Sequence, residues 1–247
     1  MKRGVRPLPS AGELRVTLRA LPEGVVMVVR GGAPGWEPSL LVEHVADLVG
    51  VWHHPAGADR AVHLAGEVVY EAWGDERLPV GGHAFLQVNR AAAESVAAHV
   101  LAQAGSGRKA VDGYCGVGMY GRALARLGWR VTGIELDPDA CRGAHHDAPD
   151  GFSVVEGAVE DRLPGALPAD LVVLNPPRTG LHASIPDVLV DRPPDTLVYV
   201  SCDPATLARD TARLGDAFRL ESLRCFDLFP QTSHVETVAV FRGGGET

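Results

Sequence analysis

Lysine is almost missing from this chain: Lys2 and Lys109 are the only two among 247 residues, so the basic charge is nearly all arginine, as high-GC coding bias alone would produce. Basic charge is also outnumbered, 23 residues against 31 acidic ones, for a formal net charge of −8. A field of that sign does not favour nonspecific phosphate binding, so contact with nucleic acid has to come from a local patch. The four cysteines, Cys115, Cys141, Cys202 and Cys225, are scattered and form no C-x-x-C pair. That argues against a structural zinc or iron–sulfur site and against a disulfide framework, and it fits a reducing, cytoplasmic setting. No apolar run approaches the roughly 18 residues of a membrane span. The opening MKRGVRPLPSAGELR has no apolar signal-peptide core. The composition, 46% hydrophobic and 22% charged, suits a soluble protein of one large domain, or one domain with a small appendage.

The pattern changes character along the chain. Residues 14 to 30 read as two short strands joined by Leu21-Pro22-Glu23-Gly24, followed by a Gly/Pro-rich loop and an amphipathic run from Ser39 to Val49. Residues 61 to 80 read as short antiparallel strands with turns at Gly66 and Gly74-Asp75. Residues 1–82 are therefore expected to form a small α+β unit, packing on the rest of the chain. The larger unit, 83–247, starts with an alanine-rich helix from Asn89 to Ala104. Strand candidates come next at 110–114, 130–136, 152–155, 170–174 and 196–200, with helices near 119–127, 138–147, 183–190 and 204–214. Alternation of this kind predicts a parallel sheet covered on both faces. The last two strand candidates, Leu220–Phe226 and His234–Phe241, have no helix between them and are expected to end the sheet as an antiparallel pair.

Asp112-Gly113-Tyr114-Cys115-Gly116-Val117-Gly118-Met119-Tyr120-Gly121 follows the first of these strands and opens a helix. Glycines there let the backbone approach a ligand, and the helix start offers free N–H groups. Glu135 ends the next strand, 19 residues after Gly116, where a carboxylate can accept from both ribose hydroxyls of an adenosine. Gly116-x-Gly118-x-x-Gly121 equally satisfies the dinucleotide fingerprint, so the loop by itself leaves NAD and S-adenosylmethionine both open. The terminal strand pair without a helix favours the methyltransferase sheet. Further on, Asn175-Pro176-Pro177-Arg178 stands at the carboxyl end of the fourth strand, where open α/β sheets present ligand-contacting groups. Cys202 follows the fifth strand and immediately precedes a helix opened by Asp203-Pro204. A lone cysteine is usually a buried small hydrophobe, but a helix start favours its thiolate.

Five motifs then occur in one order: Phe85-Leu86-Gln87-Val88-Asn89; Asp112-x-Tyr114-Cys115-Gly116-x-Gly118; Asn175-Pro-Pro-Arg178; Val198-Tyr-Val-Ser-Cys202-Asp-Pro-Ala-Thr-Leu-Ala-Arg-Asp210; and Phe229-Pro-Gln-Thr-Ser-His-Val-Glu236-Thr. Together they resemble the RNA uracil-5-methyltransferase family of tRNA and large-subunit rRNA enzymes, over roughly residues 60 to 242. The resemblance implies a Rossmann-like class I S-adenosylmethionine-dependent methyltransferase fold and 5-methyluridine formation in tRNA or rRNA. It also implies S-adenosylmethionine contacts from Gln87, Tyr114, Gly116, Gly118, Glu135 and Asn175, with Cys202 as nucleophile and Glu236 as proton acceptor. The residue types suit that chemistry. A thiolate adding at carbon 6 of uracil makes carbon 5 nucleophilic, and a carboxylate, with a reference pKa of about 4.3, is ionised and able to take the carbon-5 proton.

The chain also departs from the pattern. Asn175 and Asp203 stand where the resemblance leads one to expect Asp and Asn, and an extra anion beside Cys202 would oppose thiolate formation. Neither an RNA-binding barrel nor four iron–sulfur cysteines precede the small unit, so the sequence reads as a short form whose RNA contacts rest on the arginines of that unit or on a partner. Asn175 keeps two alternatives in view: another acceptor, such as a cytosine or small molecule, and a non-catalytic cofactor- or RNA-binding module. Cys115, Cys141 and Cys225 are read as packing residues, His53-His54 and His145-His146 as solvated or loop pairs without a third metal ligand, and His234 as shaping the turn before Glu236.

Overall fold

The computed structural model describes residues 8–10, 12–58, 61–73, 76–79, 89–228, 230–232 and 235–244, with the backbone alone over 71–73 and 76–79. The chain divides into two compact units, Met1–Ala84 and Phe85–Thr247. The boundary expected after residue 82 falls on residues outside those described, as do Gln87, Phe229 and His234.

In the smaller unit, β1 (Leu14–Leu21) and β2 (Gly24–Gly31) form the expected hairpin. Helix α1 (Ser39–His44) then crosses over to β3 (Leu48–His54), which lies parallel to β2, and β4 (Val62–Gly66) closes a four-stranded sheet. A separate ribbon pairs β5 (Tyr70–Trp73) with β6 (Glu76–Pro79). Two expectations need correcting here. The amphipathic run is helical only as far as His44, because Leu48 and Val51 turn inward with Val29 and Trp36 as a strand. His53 and His54 lie within that strand: His53 is buried with Nε2 2.9 Å from the Gly31 carbonyl and its ring edge-on to Trp36, and His54 reaches the Ala58 carbonyl.

The larger unit opens with α2 (Arg90–Ala102), whose first turn is capped by the Asn89 side chain accepting from Ala92 N–H. It continues as β7 (Lys109–Gly113), α3 (Met119–Arg126), β8 (Arg130–Glu135), α4 (Pro138–His145), β9 (Phe152–Glu156), α5 (Val159–Ala166) and β10 (Leu171–Leu174). It ends as α6 (Ile185–Asp191), β11 (Thr196–Ser201), α7 (Pro204–Leu214), β12 (Phe218–Phe226) and β13 (Glu236–Gly243). The seven strands run in the order β12-β13-β11-β10-β7-β8-β9, parallel except that β13 is antiparallel to both of its neighbours. Strand β11 is buried along its whole length, and the period-2 alternation of a strand feeds two separate cores. Val198 and Val200, with Val238 and Val240 of β13, pack under α2, α3 and α4, while Leu197, Tyr199, Ala239 and Phe241 pack under α5, α6 and α7. Among the α-helices and strands described in this unit, α5 is the one not anticipated, since Gly157, Pro164 and Gly165 hide the periodicity of its buried Val159, Leu163 and Ala166.

Candidate active site

In this strand order the chain runs outward from β7 through β8 to β9, then returns to the other side of β7 for β10 and β11. The switch point of the sheet therefore lies between the carboxyl ends of β7 and β10, where open α/β sheets place ligands. Asn175, one residue beyond β10, donates its backbone N–H to the Gly113 carbonyl at 3.2 Å, so the two strand ends open into a single crevice. The Asn175 side chain is half-buried and makes no hydrogen bond with the described residues.

Beyond Gly113 the chain turns sharply. Tyr114 has φ 61°, an uncommon value for a non-glycine residue, and Gly116 and Gly118 follow at 58° and 84°. The two glycines serve different ends. A Cβ added to Gly118 would lie 2.5 Å from the Phe152 ring, so its bareness admits a packing residue beneath α3. A Cβ on Gly116 would meet nothing within 4 Å: its bareness faces open space. Glu135 meets the loop from the end of β8. Its Oε2 accepts from Gly116 N–H at 2.8 Å, and its Oε1 accepts from Leu136 and Asp137 N–H, each at 2.8 Å. Three backbone donors thus fix the orientation of this carboxylate. Tyr114 packs toward α5 and α6, and burial pushes its hydroxyl up to about 12, partly offset by a hydrogen bond with the His182 backbone.

Asp112, within β7, is fully buried. Its Oδ2 accepts from Gly121 N–H at 2.8 Å, its Oδ1 has no partner, and burial raises its pKa to about 7. Motif reasoning passes over it as a site residue, although a carboxylate in the otherwise apolar run Ala110-Val111-Asp112 is a visible anomaly.

Cys202 is half-buried between the end of β11 and the start of α7. Asp203 caps that helix, Oδ1 accepting from Thr206 N–H at 2.8 Å, and this hydrogen bond holds the carboxyl below its ordinary range. The extra anion is therefore directed into its own helix start. Strand β13 brings Glu236 alongside. Its antiparallel register with β11 pairs Val200 with Val238 and Ser201 with Thr237, so Cys202 and Glu236 stand one step beyond the last pair on adjacent strands. Glu236 is only 2% exposed and makes no hydrogen bond with the described residues. Burial alone raises its pKa to about 7, so the reference carboxylate value expected for Glu236 does not hold.

The remaining cysteines divide. Cys115 and Cys141 are buried, their thiols pushed up by desolvation, and pack as expected, whereas Cys225 is exposed on the edge strand β12 and is not a core residue. Among the described residues, no group of three or more His, Cys, Asp or Glu could hold a metal ion, and no helix is long and apolar enough to cross a membrane.

A doubly wound sheet of this order, with its penultimate position filled by a reversed strand, defines the fold of the S-adenosylmethionine-dependent methyltransferases. The tRNA (uracil-54, C5)-methyltransferase of Pyrococcus abyssi, solved in complex with S-adenosyl-L-homocysteine, superposes with a TM-score of 0.72 at 28% identity, over 94% of this chain and 60% of that one. Residues 166–242 match the tRNA (Uracil-5-)-methyltransferase family model, in keeping with the resemblance of the motifs. Among curated relatives, an "Uncharacterized RNA methyltransferase" of Nitratidesulfovibrio vulgaris is 37% identical over 200 residues, 75% of this chain and 42% of the relative. Another, from Streptomyces avermitilis, is 41% identical over 171 residues, 65% of this chain and 40% of that one. The chain thus spans less than half the length of these relatives.

Proposed function

We propose that the protein is an S-adenosylmethionine-dependent RNA methyltransferase of the cytoplasm that forms 5-methyluridine, in tRNA or rRNA, through a covalent bond from Cys202. The observation that carries this proposal is the β11–β13 register, which sets a cysteine at a helix start beside a buried carboxylate.

The crevice fits the methyl donor. The open side of Gly116 leaves room for close approach, the Glu135 carboxylate is oriented at the end of β8, and the Asn175 amide is uncommitted at the end of β10. Tyr114 and Gly118 shape the same loop, and Gln87, outside the described residues, joins this set by its motif alone. Bound there, S-adenosylmethionine supplies an electrophilic methyl group.

The protein's residues prepare the acceptor. Cys202 Sγ, as thiolate, forms a bond to carbon 6 of the uracil, and the displaced electron pair makes carbon 5 nucleophilic. Cys202 stands immediately before the amino end of α7. After carbon 5 is methylated, Glu236 removes its proton, the pair returns to the ring, and the bond from Sγ to carbon 6 breaks. A carboxyl with a pKa near 7 suits both halves of that cycle, accepting a proton and later releasing it to solvent near neutral pH. A uracil in folded RNA has to leave its stack to meet Cys202.

The test uses labelled S-adenosylmethionine with a pool of unmodified tRNA and rRNA transcripts and mass spectrometry of the nucleosides. A 5-methyluridine product that disappears with Cys202→Ala supports the proposal. Methylated cytidine, or methylated small molecules with no nucleoside product, would transfer it to another acceptor. Binding without turnover would make the protein a non-catalytic module.

A further inference from the structure

Helix α7 buries Leu207, Asp210 and Leu214, a spacing of three and four residues that is the apolar stripe of a core-facing helix, except that its middle member is a carboxylate with no exposed surface. Asp210 is fully engaged. Its Oδ2 accepts from the Tyr199 hydroxyl and from Leu181 N–H, both at 2.9 Å, and its Oδ1 accepts from Arg209 Nε at 2.9 Å and from Arg213 at 3.3 Å. Two of these partners lead to the loop after β10. Arg209 also donates to the Thr179 carbonyl at 2.9 Å, and one turn earlier Thr206 donates to the Arg178 carbonyl at 3.1 Å. Gly180, at φ 79°, sits where any Cβ would collide with Thr206, Arg209 and Asp210.

Three neighbouring side chains of the helix surface, Thr206, Arg209 and Asp210, therefore grip the backbone of residues 178–181 from both its carbonyl and its amide sides. Only Pro176 and Pro177 separate that backbone from Asn175, and prolines transmit a fixed direction rather than absorbing it. At its other end the same helix begins at Cys202-Asp203. Holding a helix against a loop does not require a buried charge, since apolar residues of similar volume usually do so at no loss of stability. A buried, fully hydrogen-bonded charge adds directionality: it tolerates one arrangement of its donors.

We infer that Asp210 is a positioning residue, clamping the Asn175 loop to the helix that directly follows Cys202 and so setting the donor side of the crevice against the nucleophile. The inference rests on the functional proposal above for the roles of Asn175 and Cys202. Asp210→Asn tests it directly but risks the fold, so Arg209→Met and Thr206→Val, at the margin of the network, are made as well, with Arg192→Ala as an off-network control. Three readouts are compared: hydrogen exchange of the 176–182 peptide, S-adenosylhomocysteine affinity by calorimetry, and kcat against RNA KM.

For Arg209→Met the expected result is faster exchange in that peptide, cofactor-product affinity weaker by about tenfold, and kcat lowered with RNA KM within about threefold of wild type. Thr206→Val moves the same readouts by less. Unchanged exchange in Arg209→Met overturns the clamp. Faster exchange with unaltered affinity and kcat reduces it to a structural contact and also overturns it. A wild type that binds S-adenosylhomocysteine but methylates no uridine would sink the proposed reaction instead, while exchange and affinity still judge the clamp.

Discussion

Glu236 carries the sharpest chemistry at the scale of one residue. With little exposed surface and no hydrogen-bond partner among the described residues, it holds its proton to about pH 7, against an ordinary carboxyl value of 4.5. Its folded pKa lies above its unfolded one, so its contribution to stability is fully present below about pH 4.5 and is lost as pH rises through about 7. Glu236→Gln removes the ionisation and keeps the shape. The variant is expected to melt close to wild type at pH 5 and to be the more stable protein at pH 8, by roughly 1–3 kcal/mol, as followed by denaturant unfolding at the two values. Under the proposed reaction the same titration governs turnover. A base has to be ionised, so the wild-type rate of product release rises with pH to a plateau above about 7. A flat profile between pH 6 and 8 in rapid-quench experiments would remove Glu236 from the role of base.

The glycine loop and the reversed strand β13 matter as elements. Gly116 and Gly118 share a left-handed backbone but not a purpose, and Ala substitutions should separate them. Gly118→Ala collides with Phe152 and is expected to lower the melting temperature markedly, whereas Gly116→Ala adds only about 1 kcal/mol of backbone strain and shows its larger effect on S-adenosylhomocysteine affinity, read by calorimetry. Much of this architecture is legible in the chain. Apolar runs mark the strands of the larger unit, Asn89, Asp137 and Asp203 mark helix starts by their capping side chains, and the missing helix before Glu236 marks the antiparallel end of the sheet. Helix α5 is not legible because proline and glycine interrupt its pattern, and β3 is not because its pairing partners lie on either side of it in sequence. The pairing of Ser201 with Thr237 cannot be read either. Register is set by which faces of β11 and β13 join the two cores, and periodicity gives the alternation but not the offset. For the same reason the sequence names Cys202 and Glu236 without showing that the strand register brings them level with each other.

The whole molecule carries a charge of −8, so an RNA partner has to be drawn by a local concentration of arginine. The smaller unit offers one. Arg15 and Arg30 stand directly opposite each other across the β1–β2 hairpin, both exposed, a like-charge pairing that costs stability unless an anion is shared between them. The double substitution Arg15→Ser, Arg30→Ser is expected to weaken RNA binding several-fold at low salt and to flatten its salt dependence, while leaving S-adenosylhomocysteine affinity, a property of the larger unit, unchanged. Equal RNA affinity across a salt titration would assign RNA contact elsewhere. In the proposed reaction, a thiol and a buried carboxylate of the larger unit act on one base in succession. The most direct measurement of that succession is a denaturing gel of Glu236→Gln incubated with RNA and S-adenosylmethionine. A protein–RNA species that persists through denaturation, and is abolished when Cys202→Ala is added, is the predicted result. No such species with any unmodified tRNA or rRNA, from a variant that still binds both partners, would contradict the account.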